Sequence, residues 1–154
     1  MSDDSVRVDV SRRYLLKAVA AATAATATVS ALADCGPGTT PGMTVDAGTA
    51  ADFTIGMFRQ PGGSSVIVGR DANGFYAYSN ICTHQQCIVP TPADAMSTSS
   101  CPCHLSRFDT NGNVLPGSMA TLNLPHYAVM LNSGHVMVDV SATISDRAAR
   151  TPAA

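Results

Sequence analysis

Two short stretches decide how this chain is interpreted: Cys82-Thr83-His84-Gln85-Gln86-Cys87 and Cys101-Pro102-Cys103-His104. Each stretch offers one thiolate and one imidazole to a metal, and each carries one further cysteine. This duplication indicates a metal centre shared between two loops. It favours iron and the transfer of single electrons over the conversion of a substrate.

Zinc is the competing metal, because sites with two cysteines and two histidines are common for it. Such zinc sites usually place two cysteines on one turn and two histidines on a helix. Here each loop mixes the two ligand types, and no helix carries the histidines. Mixed loops are expected when two cysteines gather on one metal ion and two histidines on its neighbour, as in a [2Fe–2S] cluster in which histidines replace two of the cysteines.

The two segments, with Ser106 following the second, resemble the cluster loops of Rieske iron–sulfur proteins of the cytochrome bc type. The resemblance covers about residues 46–140. It implies one [2Fe–2S] cluster per chain, held by the first cysteine and the histidine of each loop: Cys82, His84, Cys101 and His104. It also implies a disulfide between Cys87 and Cys103, which separates the bc-type proteins from Rieske ferredoxins and oxygenase domains.

The chain departs from the usual family pattern near the histidines. Gln85 and Gln86 stand where an apolar residue and glycine are usual, and Leu105 stands where glycine is usual. High-potential, quinol-oxidising members carry a tyrosine at the position of Phe108, and its hydroxyl donates to the sulfur of a ligand cysteine. Because such hydrogen bonds raise the potential, we expect a midpoint below the top of the Rieske range of about −150 to +300 mV, with Ser106 keeping one bond.

Downstream of residue 42 the pattern predicts an all-β fold. Short alternating or apolar runs at 52–58, 65–69, 75–78, 127–131 and 135–140 are separated by turn sequences such as Asp71-Ala72-Asn73-Gly74. No helix of four turns is indicated after residue 34. With the resemblance, this predicts a Rieske-type antiparallel β-sandwich whose small cluster-binding subdomain is formed by two loops.

Around the two loops, residues 88–100 are predicted to form a loop, and Leu115 to Ala120 is the expected counterpart of the proline-rich segment that covers the cluster in the family. His126 and His135 fall in strands and are expected to be satisfied surface or edge histidines, not ligands. The Rieske domain is predicted over residues 43–141, between a linker at 34–42 and a flexible tail at 142–154.

Residues 1–33 have the form of an export signal. Ser11-Arg12-Arg13-Tyr14-Leu15-Leu16-Lys17 precedes an uncharged run at 18–33, and the arginine pair resembles the bacterial twin-arginine signal. An amphipathic surface helix is the alternative. The run is shorter than the ~20 residues that span a bilayer. We favour cleavage after Ala33, with retention as a membrane anchor and acylation of Cys35 as the other two possibilities.

The charge of the chain bears on its partners. The formal net charge is −2, which gives no basic surface for nucleic acid. We expect an electron-carrying subunit of an oxidoreductase complex, of the quinol/cytochrome c type, in the bacterial periplasm or at the outer face of the cytoplasmic membrane. Its partners would be a cytochrome or larger oxidoreductase subunit and quinol, with membrane attachment through the N-terminus.

Three alternatives remain from the sequence. The small Rieske subunit of arsenite oxidase is also exported and commonly has phenylalanine where this chain has Phe108, which keeps a molybdoenzyme partner open. A zinc-binding module without redox function is the second alternative. A Rieske oxygenase is disfavoured because the sequence contains no second domain with a mononuclear iron site.

Overall fold

The computed structural model describes residues 43–153, so the signal, linker and Cys35 lie outside the described residues. Eight strands are described: β1 Thr44–Thr49, β2 Phe58–Arg59, β3 Val66–Asp71, β4 Gly74–Ser79, β5 Ser99–Ser100, β6 Arg107–Phe108, β7 His126–Asn132 and β8 His135–Ile144. Six form one antiparallel sheet in the order β1-β8-β7-β4-β3-β2, and β5 pairs with β6. The predicted all-β antiparallel fold is confirmed, and the structure forms it as a curled antiparallel sheet. Within residues 43–153, no helix is long and apolar enough to cross a membrane.

The β3–β4 hairpin carries apolar side chains on both faces. Val66 and Val68 are buried on one face of β3, and Ile67 is buried on the other. A continuous apolar run, instead of an alternating one, is typical of a strand that is covered on both sides. The hairpin therefore forms the middle of the domain.

Two apolar clusters result from this arrangement. One contains Phe53, Phe75, Val136 and Val138 together with Val66 and Val68. The other contains Ile67 and both tyrosines of β4, and it joins them to both candidate ligand cysteines: Tyr76, Tyr78, Cys82, Cys101, Phe108 and Leu124 are among its members. The cysteine loops are thus anchored in the core of the domain.

Residues 52–58 do not form the strand that their alternation predicts. Phe53 is buried, but Ile55 is 66% exposed, and Gly56 adopts a φ of +87°. This turn interrupts the extended backbone, so only Phe58–Arg59 pairs with β3. The chain also contains β1, which the sequence pattern did not predict.

The C-terminal residues differ from the flexible tail expected at 142–154. Strand β8 continues to Ile144. Beyond it, the Arg147 guanidinium donates to the Asn111 carbonyl at 2.7 Å, and Arg150 Nε donates to Asp71 Oδ2 at 2.6 Å. Two arginines therefore hold this small, polar segment against the sheet and the 109–124 region.

Candidate metal centre

The two cysteine loops have the same backbone design. In the first, the Cys82 N–H donates to the Cys87 carbonyl at 2.8 Å and the Gln86 N–H donates to the Cys82 carbonyl at 2.9 Å. In the second, the Cys101 N–H donates to the Ser106 carbonyl at 2.8 Å, and the Leu105 N–H donates to the Cys101 carbonyl at 2.9 Å. Cys82 and Cys101 therefore occupy equivalent positions.

The equivalence continues below the loops. The Asn80 backbone carbonyl accepts a hydrogen bond from the Val89 N–H at 2.7 Å, and Ile81 forms an antiparallel β-bridge with Ile88. In the other hairpin Ser99 pairs with Phe108, and Ser100 with Arg107. Each candidate ligand cysteine thus directly follows a short segment that is paired in antiparallel fashion with the chain after its loop.

The backbone conformation of Gln86 and Leu105 shows why glycine is usual at these two positions in the family. Both residues have a φ of +57°, in the left-handed region that residues with a Cβ avoid. A glycine there relieves the strain, which is why glycine is usual at these places. This chain keeps the turn with larger residues, at a conformational cost.

The two candidate thiols lie side by side. Cys82 and Cys101 are each 1% exposed, and neither belongs to a disulfide. Burial raises the pKa of the Cys82 thiol, and the hydrogen bond with Cys101 raises it further. A metal that replaces the proton would therefore bind a pair of sulfurs that are already shielded from water.

The two candidate imidazoles also meet. The ring centroids of His84 and His104 are 4.8 Å apart, and the rings are nearly perpendicular at 84°. Nδ1 of His84 is buried and has no hydrogen-bond partner, while His104 is exposed. An open groove of about 460 Å³ lies beside His84 and is bordered by Gln86 and Leu122.

Cys87 and Cys103 form a disulfide with an S–S distance of 2.02 Å, as the resemblance implied. The bond joins the end of the first loop to the middle of the second. The Cys101 sulfur lies within 4.8 Å of both disulfide sulfurs. Because Cys87 and Cys103 are bonded to each other, these three sulfurs are not a separate metal site.

Ser106 and Phe108 are both fully buried. The Ser106 Oγ accepts a hydrogen bond from the Ala120 N–H at 2.9 Å, which leaves its own proton free to donate. Phe108 has no polar atom to offer. Of these two residues, Ser106 alone can donate a hydroxyl hydrogen bond, as the sequence predicts.

The predicted covering segment packs along the second loop. The Leu115 N–H donates to the Arg107 carbonyl at 2.9 Å, and the Arg107 N–H donates to Ser118 Oγ at 2.9 Å. A further bond, which the sequence pattern did not predict, runs from Thr83 Oγ1 to the Leu122 carbonyl at 2.6 Å. It ties the first loop to the chain just after that segment, and only the position of Thr83 between Cys82 and His84 could have indicated it.

The other two described histidines have partners of their own, but His126 is 1% exposed and is therefore not the surface or edge histidine that was expected. His126 Nε2 is 2.9 Å from the Asn111 carbonyl, and His135 Nδ1 is 2.9 Å from an Asp46 carboxylate oxygen. A larger surface cavity of about 600 Å³ is lined by Arg70 and His135. It contains none of the candidate site residues.

The donors gathered by the loops fit a [2Fe–2S] cluster. Two buried thiols, a buried imidazole nitrogen without a partner and a second imidazole beside it supply two sulfur and two nitrogen ligands. Two sulfurs on one iron and two nitrogens on the other is the mixed ligand set of this cluster type.

Comparisons with known proteins agree with this site. The family model for the Rieske [2Fe-2S] domain matches residues 45–128, more than half of the chain. A cytochrome b6-f complex iron-sulfur subunit from Synechococcus sp. (strain CC9605) is 38% identical over 73 residues, 47% of this chain and 40% of that protein. A Haloferax mediterranei protein, provisionally named as the Rieske subunit of a respiratory nitrate reductase, is 38% identical over 61 residues, 39% of this chain and 27% of that protein.

A solved structure gives the same result. The plasma membrane Rieske protein PetC3 from Synechocystis PCC 6803 superposes with a TM-score of 0.50 and 30% identity, covering 62% of this chain and 99% of that one. The chain spans only about 40% of the length of the first curated relatives that it matches. These matches establish that the chain belongs to the Rieske [2Fe–2S] family, and the family implies a cluster of that type at this site.

Proposed function

We propose that the chain is the iron–sulfur subunit of an exported or membrane-attached redox chain of the quinol/cytochrome c type. Cys82 and Cys101 would hold one iron through their thiolates, and His84 and His104 would hold the other through their imidazoles. The observation that carries this assignment is the pair of equivalent hairpins, which brings the two thiols together and the two imidazoles together.

The disulfide supports an exported location. Bonds such as Cys87–Cys103 persist in oxidising compartments and are rare in the cytosol, where thiols are kept reduced. The bond also links the two loops, so that the site keeps its shape while the charge at its centre changes. An exported carrier fits both points.

The surface around the imidazoles supports docking to an uncharged face of a partner. Residues 81–90, 101–106 and 115–124 contain no charged side chain. Large apolar side chains are exposed there: Ile88 at 52%, Leu105 at 72%, Met119 at 59% and Leu122 at 66%. Leu105 directly follows the exposed His104, and Leu122 borders the groove beside His84, so exposed apolar side chains near both imidazoles suit a close contact from which water is excluded.

The protein residues divide the work of electron transfer. A Rieske cluster accepts and releases one electron at a time. The thiol sulfurs of Cys82 and Cys101, which would be ligands, are buried and shielded from water. The exposed His104 can exchange a proton with solvent or a bound quinol at its outer nitrogen, so that proton movement accompanies electron movement.

A molybdoenzyme partner, as in arsenite oxidase, is the second candidate. Phe108 favours it, because the position is completely buried and supplies no hydroxyl to raise the potential. Under this alternative the chain would accept electrons from the molybdenum subunit and do no chemistry on the substrate of that enzyme.

The proposal is tested on the full chain produced in a bacterium. We expect a Rieske-type EPR signal after dithionite reduction, in material recovered from the periplasm or the membrane fraction, and rapid reduction by a soluble quinol. A reduced protein without this signal would overturn the ligand assignment. A cluster-loaded protein confined to the cytosol would overturn the exported location, and one that a quinol cannot reduce would favour the molybdoenzyme partner.

A further inference from the structure

One arginine of the C-terminal segment binds both ends of the loop at residues 114–123. Arg147 Nη2 donates at 3.0 Å to Oδ1 of Asn113, which directly precedes this loop. Arg147 Nη1 donates at 2.5 Å to the carbonyl of Leu124, which directly follows it. A guanidinium is planar and presents its donors in a fixed geometry, so Arg147 constrains the two ends of the loop together.

The 114–123 loop contacts both cysteine loops. The Ala120 N–H donates to Ser106 Oγ at 2.9 Å, at the end of the second cysteine loop. The Leu122 carbonyl accepts from Thr83 Oγ1 at 2.6 Å, in the first cysteine loop. Leu122 also borders the groove beside His84. The position of the 114–123 loop therefore affects how both halves of the site are covered.

The C-terminal segment that carries Arg147 is itself fixed to the sheet. The Thr151 N–H donates to the Phe75 carbonyl at 2.9 Å, and the Thr151 carbonyl accepts from the Phe75 N–H at 2.8 Å. Thr151 Oγ1 donates to the Val129 carbonyl at 2.6 Å. These bonds join the segment to β4 and β7. Arg147 thus connects the 114–123 loop to the sheet of the domain.

We propose that Arg147 is a positioning residue for the cluster site, which holds both ends of the 114–123 loop and so keeps water away from the site. Leu124 is fully buried and packs in the same apolar cluster as Cys82 and Cys101. Without Arg147, water has to reach the Leu124 carbonyl to replace the lost donor. That water would enter the core beside the buried thiols. The effect on a cluster rests on the proposed ligand set, whereas the hold on the loop does not.

Arg150 provides a matched control, because it belongs to the same segment and is also partly buried. It donates to Asp71 Oδ2 at 2.6 Å and to Asn111 Oδ1 at 2.9 Å. In the part of the chain that the structure describes, Arg150 donates to neither end of the 114–123 loop. Arg150→Gln therefore weakens the hold on the C-terminal segment but leaves the bonds from Arg147 to the loop in place.

Amide hydrogen exchange in the cluster-free full chain tests the hold on the loop. The probes are the hydrogen-bonded amides of Ala120 and Leu124. In Arg147→Gln both should exchange about tenfold faster than in the unsubstituted protein. The hydrogen-bonded Val89 amide of the first hairpin should keep its rate, because the opening is local. In Arg150→Gln all three amides should keep their rates.

The cluster-loaded full chain gives a second readout. With an iron chelator present, Arg147→Gln should lose the Rieske EPR signal about tenfold faster than the unsubstituted protein, in proportion to the opening of the loop. Arg150→Gln should lose it at the unsubstituted rate. Arg147→Lys keeps the charge, but a single ammonium group lacks the planar fork that reaches both ends. It should therefore behave like Arg147→Gln, and it takes over both measurements if Arg147→Gln does not fold.

Three results would overturn the proposal. The first is unchanged exchange of the Ala120 and Leu124 amides when Arg147 is replaced. The second is an equal increase in Arg150→Gln or at Val89, which would show a general loss of stability. The third is faster exchange with no faster loss of the signal. If the unsubstituted protein gives no Rieske signal, the ligand assignment fails instead, and exchange in the cluster-free chain still decides whether Arg147 holds the loop.

Discussion

Ser106 and Phe108 lie two residues apart on one face of the second hairpin, and they differ in what they can give to a sulfur. Ser106 accepts from the Ala120 N–H and retains a proton to donate. Phe108 is packed among apolar side chains with no exposure. Of this pair of positions, only Ser106 can therefore donate a hydroxyl hydrogen bond to a sulfur of the site.

Phe108→Tyr should raise the midpoint potential, because the new hydroxyl can donate to a ligand sulfur. The expected increase is about tenfold in the reduction equilibrium, or ~59 mV, measured by voltammetry. Ser106→Ala should shift the midpoint in the opposite direction. If neither substitution moves it, hydrogen bonds from this strand do not tune the cluster.

The residue types near the motif were predictable, but their partners were not. The sequence correctly pointed to the disulfide of Cys87 and Cys103 through a resemblance. It could not show that Ser99 and Asn80 are buried without partners, because burial of a polar side chain depends on the packing of distant segments. Thr83 was missed for the same reason, since its acceptor is 39 residues away.

At the scale of elements, the two cysteine hairpins are built alike from different residues. Leu105 and Gln86 each hold the left-handed position of the turn. A leucine in that conformation is strained by roughly 1–2 kcal/mol. Its side chain is mostly exposed, so little burial offsets the strain.

Leu105→Gly should therefore stabilise the protein by about 0.5–1 kcal/mol, after allowing for the greater freedom of glycine in the unfolded chain. Urea unfolding of the oxidised protein measures this. Gln86→Gly should behave in the same way. Gln85→Gly is the matched control, because Gln85 is not among the residues with positive φ, and it should be neutral or destabilising. A loss of stability in both turn variants would contradict the account of strain.

Hairpins in which a turn sequence separates two apolar runs were predicted correctly. The β3–β4 and β7–β8 hairpins fall where turn sequences separate apolar runs. Strand β1 was missed because its pairing with β8 is irregular: the register shifts between Asp46 and Thr49, around Gly48 with a φ of +102°. The equivalence of the two cysteine hairpins was hidden as well, since it is a property of backbone hydrogen bonds and not of side-chain pattern.

At the scale of the whole molecule, one buried histidine links the sheet to the region that supports the site. His126 stacks on Tyr78 with ring centroids 5.7 Å apart, and Tyr78 packs in the same cluster as both candidate ligand cysteines. Burial lowers the pKa of His126 from 6.5 to about 4. Its neutral form is therefore part of the folded structure.

This predicts a loss of stability in mild acid. Between pH 6.5 and about 4 the unfolded chain binds a proton at this position and the folded chain does not, so the free energy of unfolding falls as the pH falls, by up to about 3 kcal/mol. His126→Phe should flatten this dependence in urea titrations at several pH values. The Asn111 carbonyl would keep Arg147 as a donor, which limits other damage.

His135→Gln, at the exposed pair with Asp46, is the matched control and should leave the acid dependence in place. An equally steep loss of stability in His126→Phe would show that another group is responsible. The sequence placed His126 in a strand, but its burial follows from the 109–124 region folding over β4 and β7, which no local pattern reveals.

The arginine-anchored end of the chain has a practical consequence for anyone who wishes to express this domain alone. The family match ends at residue 128, within β7, whereas β8 lies between β1 and β7 in the sheet. A fragment cut at that limit would lose a central strand and leave Asn111, Leu124 and Asp71 without Arg147 and Arg150. A fragment intended to fold must therefore extend through Thr151, whose N–H donates to the Phe75 carbonyl at 2.9 Å, and an affinity tag belongs beyond that residue.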